Sequence, residues 1–205
     1  VQFDNVGKYV IIPGGLSSDN YDITFVEGEL TVEPKEISIA WSDASFIYNG
    51  SEQIPMATAN GVENSDECIF TVTGAATNAG KYTAKVTDLS NGNYKLPATG
   101  LEQAFEITKA PLKITALNDT IVYGDEPASA GIAYDGFVGK ETSNVLTGEL
   151  AFEINYKQYG DAGEYAITPS GLTADNYEIE FVAGKLTVEP KEVSVAWSNE
   201  TLFTY

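Results

Sequence analysis

The feature that most constrains the fold of this chain is an internal repeat. Residues 7–42 recur as residues 163–198, at a constant offset of 156 positions and without a gap. Leu30-Thr31-Val32-Glu33-Pro34-Lys35-Glu36, for example, returns as Leu186-Thr187-Val188-Glu189-Pro190-Lys191-Glu192. Chance does not hold one register over so many positions, so the chain is built from modules that each form one unit of structure.

A second, shorter period of 83 positions lies inside the first. Gly80-Lys81-Tyr82 and Asn93-Tyr94 match Gly163-Glu164-Tyr165 and Asn176-Tyr177. The segments around these anchors differ, which indicates two alternating repeat types, called type A and type B here. Residues 1–34 are then the C-terminal part of a type A repeat, 35–110 a complete type B repeat, 111–190 a complete type A repeat, and 191–205 the start of a further type B repeat. We expect the parent protein to continue on both sides.

Apolar and polar residues alternate along many short stretches. Within Lys35–Trp41, every second residue from Ile37 onward is apolar, a period of two that is typical of a half-buried strand. Turn signals such as Asn49-Gly50 separate these stretches. The spacing is typical of an all-β sandwich or a small barrel, and we predict an all-β fold of tandem Ig-like β-sandwiches. The other predicted strands are Ile69–Val72, Tyr82–Val86, Phe105–Thr108, Leu112–Leu117, Leu150–Tyr156, Tyr165–Thr168, Tyr177–Val182, Leu186–Val188 and Glu192–Trp197.

Three Gly-x-Tyr units, at residues 7–9, 80–82 and 163–165, each open an alternating stretch. In Ig-like sandwiches, a tyrosine near the start of a late strand hydrogen-bonds to upstream backbone at a corner. We therefore predict that Tyr9, Tyr82 and Tyr165 form such corners, with the glycine permitting the backbone path. The alternative is that these tyrosines are exposed for stacking on a ligand.

Two tryptophans and the one cysteine are interpreted as core residues. Trp41 and Trp197 share a predicted strand face with aliphatic side chains, which favours burial over stacking on a sugar. Cys68 alternates with Phe70 and Val72 and is interpreted as a small buried hydrophobic residue. With one cysteine, no intrachain disulfide is possible.

Residues 111–190 resemble the MBG domain of the YGX type, and residues 1–34 resemble its C-terminal part. The motifs that carry the resemblance are Tyr123-Gly124, Tyr134-Asp135-Gly136-Phe137-Val138, Gly163–Leu172, Asn176-Tyr177 and Phe181–Val188. Residues 35–110 resemble the related Ig-like repeats that often alternate with this domain. The resemblance implies an array in a large bacterial surface protein or adhesin, and it brings no catalytic residues with it.

Some adhesin repeats have a β-grasp fold, which is an alternative for type A. Residues 135–146 are the one helix candidate of the chain, one or two turns long, and a short helix near 138–146 would suit that fold. Gly139 weakens the helix prediction, because glycine is unfavourable inside a helix.

Charge and composition exclude several functions. The net charge is −19 and every basic residue is a lysine, so no basic patch for nucleic acid can be assembled. Without histidine or arginine, catalytic pairs of a nucleophile and a base are nearly excluded. The chain has enough carboxylates to form a catalytic pair of the glycosidase type, but their number is the one feature that favours such a pair. We expect no enzyme, no catalytic residue, no cofactor and no membrane insertion within this segment.

Calcium is the one chemical site that the sequence leaves open. Oxygen donors gather at Ser17-Ser18-Asp19-Asn20 with Asp22, and again at Asp175-Asn176 with Glu178. The spacing matches no known calcium loop, so a solvated turn capped by Asp and Asn is favoured and no metal ligand is predicted.

Two functions from different classes fit these patterns. The first is structural: the repeats form an extended, semi-rigid stalk on the bacterial cell surface, with neighbouring repeats as partners. Two joints with the same Val-Glu-Pro-Lys-Glu sequence, at 32–36 and 188–192, favour it. The second is adhesive: the repeats themselves bind a host protein, glycan or mucin.

Overall fold

A computed structural model describes residues 5–63, 66–197 and 205. The chain divides into two compact units. The first is formed by Val1–Ile47 and Ser51–Thr108, and the second by Tyr48–Gly50 and Lys109–Tyr205. Nearly all regular structure in the described residues is β-strand, which confirms the prediction of an all-β fold.

The strands are short because turn residues interrupt the alternating stretches. Those of the first unit are β1 (Gly7–Ile11), β2 (Gly28–Val32), β3 (Lys35–Glu36), β4 (Ser38–Trp41), β5 (Ser45–Ile47), β6 (Ala57–Asn60), β7 (Phe70–Thr73), β8 (Gly80–Leu89), β9 (Tyr94–Lys95) and β10 (Glu102–Thr108). Those of the second unit are β11 (Ala110–Ala116), β12 (Asp119–Val122), β13 (Ile132–Asp135), β14 (Thr147–Ile154), β15 (Gly163–Thr173), β16 (Tyr177–Val182) and β17 (Gly184–Glu189).

The second unit is a β-sandwich of three strands on four. In the smaller sheet, β11 lies between its antiparallel neighbour β13 and its parallel neighbour β16. The larger sheet runs in the order β12-β17-β15-β14, with β12 parallel to β17 and the other pairs antiparallel. Ala116 of the smaller sheet packs with Ile167, Leu186 and Val188 of the larger one, and this apolar layer holds the two sheets together.

The type B repeat in the first unit has the same topology. Its larger sheet is β5-β10-β8-β7, with β5 parallel to β10. Opposite it, β4 pairs antiparallel with β6, and β3 pairs parallel with β9. Strands β3 and β4 together thus occupy the place of β11, with a break at Ile37, which is buried with Phe70, Val86 and Tyr94. The two repeat types therefore differ in sequence but share one arrangement of strands.

The partial type A repeat folds as a hairpin in the register of the complete copy. Gly7 pairs with Val32 in β1–β2 as Gly163 pairs with Val188 in β15–β17. An exposed ion pair joins the strands in both copies, with the charges exchanged. The pairs are Lys8 Nζ with Glu29 Oε1 at 2.8 Å and Lys185 Nζ with Glu164 Oε1 at 2.7 Å. Opposite charges at this position therefore persist although each residue has changed.

Two strand and core predictions need correction at the end of the chain. Residues 191–197 form no strand, so the predicted strand Glu192–Trp197 is wrong, and Trp197 is exposed rather than in a core. In the first copy, β3 and β4 are held by β9 and β6, and at the 156-residue offset the counterparts of β9 and β6 fall after residue 205. Trp41 has those neighbours: it is half-buried against the core, and its Nε1–H donates to the Gly100 carbonyl at 3.0 Å.

The helix candidate at 135–146 is reduced to one 3₁₀ turn. Strand β13 ends at Asp135, and the turn covers Ser143–Val145 with no buried residue. Gly136 and Gly139 have φ values of 114° and 59°, which a right-handed helix does not contain. A β-grasp fold needs a helix packed on its sheet, so the β-grasp alternative for type A is not the fold of this unit.

Candidate functional site

Three tyrosine corners recur along the chain, as predicted. The hydroxyls of Tyr9, Tyr82 and Tyr165 each donate to a backbone carbonyl four residues upstream. The accepting oxygens belong to Asn5 at 2.7 Å, Asn78 at 2.9 Å and Asp161 at 2.8 Å. Each bond closes the loop that enters the strand, so these tyrosines hold backbone in place.

The glycine of each corner leaves room for the tyrosine ring. A Cβ added at Gly80 would lie 3.0 Å from the Tyr82 hydroxyl oxygen, closer than side-chain atoms normally approach. The same Cβ at Gly7 or Gly163 would lie 3.8 or 4.0 Å from the nearest ring atom, which is ordinary contact. The need for glycine is therefore strongest in the type B corner, where the tyrosine lies closest to the glycine.

A second tyrosine contact was missed by sequence reasoning and involves the Asn-Tyr motif, defined as Asn93-Tyr94 and Asn176-Tyr177. The Tyr177 hydroxyl accepts the Val138 N–H at 2.9 Å and donates to the Glu141 carboxylate. The Tyr94 hydroxyl accepts the Glu63 N–H at 2.9 Å and donates to Asp66 Oδ2 at 2.7 Å.

The two contacts follow one pattern. In each, the carboxylate lies three positions after the N–H donor, and its own backbone N–H returns to the donor residue's carbonyl, Asp66 to Glu63 at 2.8 Å and Glu141 to Val138 at 3.0 Å. In both repeat types, the motif tyrosine therefore holds in place a turn that lies far from it along the sequence.

In the second unit, Tyr48 completes this cluster. Its hydroxyl donates to the other oxygen of Glu141, and its ring stands edge-on to that of Tyr177, with centroids 5.6 Å apart. Phe137 packs on Tyr177 from another side at 5.7 Å. One carboxylate thus accepts two phenol protons inside an aromatic setting, an arrangement that rigidly orients all three side chains.

The cluster changes the acidity of both phenols. Burial, followed by the hydrogen bond to Glu141, raises the pKa of Tyr177 to about 12. For Tyr48, the hydrogen bond to Glu141 raises the pKa first and burial adds to it. Both phenols therefore keep their protons at physiological pH and remain hydrogen-bond donors to Glu141.

Asn93 of the motif binds the partial type A repeat within the first unit. Its Oδ1 accepts the Val6 N–H at 2.9 Å, and its Nδ2 donates to Asn5 Oδ1 at 3.1 Å. The Lys35 N–H also donates to the Asn93 carbonyl at 2.9 Å. The asparagine therefore contacts the loop before β1, in the partial type A repeat, and the first residue of β3, in the type B repeat. The short Glu33-Pro34 connection joins these two repeats.

At the end of the second unit lies a largely apolar groove, called the end groove here. It has a volume of about 410 Å³ and is lined by Tyr123, Ala162 and Pro190–Val193. The Tyr123 ring meets that of Tyr159 at 6.5 Å, and Tyr159 is exposed with a φ of 67°, which is unusual for a residue other than glycine.

Residues predicted for other roles lie apart from these clusters. Cys68 packs beside Phe70 at the edge of the core, and burial raises the pKa of its thiol, which lowers its reactivity. In the Ser17–Asp22 loop, the Ser18 hydroxyl accepts the Asn20 N–H at 3.2 Å, a local turn contact. Across residues 5–63, 66–197 and 205, no group of three or more acidic or cysteine side chains is placed to hold a metal ion.

Within the described part of the chain, no helix has the length and apolar character needed to cross a membrane. The contacts that recur among the described residues are those of the tyrosines that fix loops and turns.

The comparisons with known proteins agree with this description. The family model of the MBG domain (YGX type) matches residues 1–31 and 112–187, just over half of the chain. MBG domains are repeats found in bacterial surface proteins. A search of curated proteins finds no match. The matched residues contain nearly all of the hairpin β1–β2 and of the second unit's sandwich, and the chain belongs to the MBG domain family of the YGX type.

Proposed function

We propose that this chain is a non-enzymatic structural segment of an extracellular bacterial surface protein, in which tandem repeats form a stalk that displays another domain. Its partners in this role are the neighbouring repeats of its own polypeptide. Family membership supports the surface location, because MBG domains are repeats of bacterial surface proteins.

The observation that carries the proposal is the way strands continue from one repeat into the next. Strand β2 of the partial type A repeat ends at Val32, and β3 of type B begins at Lys35. Strand β10 ends at Thr108 and β11 begins at Ala110. Connections of one or two residues leave no flexible Gly/Ser-rich linker, and Pro34 restricts the backbone further.

Composition supports the absence of chemistry in this role. The chain has no histidine and no arginine, and partial burial raises the pKa of its one thiol, that of Cys68. The perturbed phenols of Tyr48 and Tyr177 are engaged with Glu141 as structural donors. A net charge of −19 favours solubility and opposes clumping between chains.

Display on a cell surface tests the proposal. One or two copies of the chain are placed between a membrane anchor and a small binding domain, with a Gly/Ser-rich linker of 205 residues as the matched control. We expect access of a large ligand to the binding domain to rise with the number of copies and to exceed that of the linker. Access that does not depend on the number of copies would contradict the stalk function.

Adhesion by the repeats themselves is a second candidate, favoured by the exposure of Tyr159. Tyr159 is 68% exposed, and its φ of 67° is a strained conformation of the kind that clusters at functional sites. Binding of the chain to mucin, host-protein and glycan panels tests this function. Adhesion predicts binding that Tyr159→Ala abolishes and that Tyr134→Ala, a change at another exposed tyrosine, leaves intact.

A further inference from the structure

We propose that the end groove is the seat of the Asn-Tyr motif of a type B repeat that follows the type A repeat in the same polypeptide. This inference shares one requirement with the proposed function, namely that type A and type B repeats alternate along the polypeptide. Each wall of the groove has an equivalent elsewhere in the chain, and those equivalents already hold an Asn-Tyr motif.

The first argument is strand pairing. Lys35–Glu36 pairs in parallel with Tyr94–Lys95, next to the motif residue Asn93. Lys191–Glu192, on the floor of the end groove, is the equivalent of Lys35–Glu36 at the 156-residue offset, and within the described residues it belongs to no strand. A motif strand seated in the groove would give these backbone groups the partners that their equivalents have.

Charge supplies the second argument. Lys35 forms an ion pair with Glu63, and Glu36 Oε2 lies 3.8 Å from Lys95 Nζ. Lys191 and Glu192 present the same two charges in the same order, and neither has an ion-pair partner among the residues that the structure describes. The groove is therefore complementary to the acidic turn and the lysine of a type B repeat.

The third argument concerns the asparagine. Asn93 bonds to Asn5 and to the backbone of Val6, which is half-buried. Their equivalents at the same offset are Asp161 and Ala162, and both are exposed. Ala162 is therefore more exposed than Val6, whose N–H donates to Asn93.

The fourth argument concerns the tyrosine. Tyr48 and Tyr123 each follow the strand that pairs in parallel with the last strand of its repeat, β5 and β12. Tyr48 is 5% exposed, because it packs on the motif residue Tyr177 and bonds to Glu141. Tyr123 is 39% exposed. A type B repeat brings the same pair of groups, Tyr94 with Asp66, and can cover Tyr123 in the same way.

Apolar burial adds to these polar contacts. Ile37 is 3% exposed in the core of type B, whereas its equivalent Val193, in the wall of the groove, is 86% exposed. An aliphatic side chain that is buried in one copy and uncovered in the other indicates that the missing cover has the chemistry of a type B core.

An extended chain tests the assignment. Because residues 191–198 are equivalent to 35–42, and Tyr205 closes the following stretch as Tyr48 does in the first copy, residues 49–108 appended after Tyr205 complete a second type B repeat. Tyr123→Ala should then lower the thermal midpoint by about 4 °C or more in the extended chain, the shift that one lost contact of ordinary strength produces in a small domain. In the original chain the same change should shift the midpoint much less. Tyr134→Ala, at a tyrosine outside the groove with similar exposure, is the matched control and should shift both chains equally.

Hydrogen exchange gives a second readout that does not depend on a substitution. The amides of Lys191–Val193 should become protected in the extended chain. Equal effects of Tyr123→Ala in both chains, unprotected amides, or an appended repeat that fails to fold would each overturn the proposal. Dimers of the original chain that Tyr123→Ala abolishes would place a second copy in the groove and would also overturn it. Failure of the display experiment leaves all of these outcomes unaffected.

Discussion

Two stretches of nearly the same sequence adopt different structures in this molecule. Tyr177–Val182 forms β16, which pairs in parallel with β11, and Tyr177 is 2% exposed. The equivalent residues 21–26 form no strand, and Tyr21 is 78% exposed. At the 156-residue offset, the counterpart of β11 falls before residue 1. The difference teaches that strand formation here depends on a partner strand and on burial, not on local propensity.

The hairpins of the same two copies behave in the opposite way. Strands β1 and β2 keep the register of β15 and β17, and Tyr9 forms the same corner as Tyr165. Both strands of each hairpin lie within the chain, so each finds its partner. Substitutions at equivalent positions of the two copies can therefore separate the stability that the strand pair contributes from the stability that packing on the second sheet contributes.

The largest difference should come from an apolar deletion in the last strand of the hairpin. Leu186 in β17 is fully buried between the two sheets, so Leu186→Ala should cost about 2–5 kcal/mol of stability. Leu30, its equivalent in β2, is only half-buried, and Leu30→Ala should cost clearly less. Urea unfolding, with hydrogen exchange to report each hairpin separately, measures both; equal losses would contradict the comparison.

Adding a methyl group to a glycine should also destabilise the complete copy more than the partial copy. A Cβ at Gly184 would collide with the Ala116 carbonyl of the opposite sheet, whereas at Gly28 it would meet the Ile11 side chain at 3.6 Å. Gly184→Ala should therefore destabilise by about 1–3 kcal/mol, the usual cost of overpacking, and Gly28→Ala should have little effect. Thermal unfolding of the two variants is the measurement, and a larger loss for Gly28→Ala would refute the reasoning.

High pH should loosen the complete copy. The pKa of Tyr177 is raised to about 12, above the value of about 10 in an unfolded chain. The folded state therefore holds its proton longer, so the stabilisation is complete below pH 10 and is lost as the pH rises towards 12. Denaturation midpoints measured from pH 9 to pH 12 should fall over this interval. In Tyr177→Phe the fall should be shallower, and an unchanged slope would show that other groups cause it.

The tyrosine corners should matter equally in both copies. Tyr9→Phe and Tyr165→Phe each remove one hydrogen bond of nearly the same length, 2.7 and 2.8 Å, and each should cost about 0.5–1.5 kcal/mol. The change keeps the ring, so packing is preserved. Hydrogen exchange of the strand that follows each corner reports the loss; an effect in only one copy would mean that the corner depends on the second sheet after all.

The smallest effect belongs to the exposed ion pair between the hairpin strands. Lys185→Glu places two carboxylates together and should cost no more than about 1 kcal/mol. Adding Glu164→Lys restores opposite charges in the order of Lys8 and Glu29, and the stability should return. The loss should vanish at high salt, because exposed charges are screened there. A loss that persists in 1 M salt would point to packing instead of charge.

A structural feature could be predicted from the sequence when the residues that form it lie close together along the chain. The corners were predictable because the Gly-x-Tyr unit and its acceptor lie within five residues, as at Asp161–Tyr165. The turn contacts of Tyr94 and Tyr177 were not, because their carboxylates lie 28 and 36 positions away and the spacing differs between repeat types. The donors are the backbone N–H groups of Glu63 and Val138, residues of unrelated type, so the sequence carried no signal for either contact.

The same distinction explains the incorrect prediction at the end of the chain. Glu192–Trp197 alternates as well as Lys35–Trp41 does, yet only the earlier stretch has strands to pair with. Periodicity predicts which face of a strand would be buried, but the strand forms only where its neighbour is present. The end groove follows from the same cause and could be recognised only once the pairing was known.

Hydrogen exchange at the two equivalent strands tests the central claim most directly. The claim is that residues of one repeat become a strand only beside the partner strand of that repeat. Amides of Tyr177–Val182 should exchange slowly, as expected for a strand paired with β11, while those of residues 21–26 should exchange at nearly the rate of an unstructured chain. Equal protection of the two stretches would contradict the account.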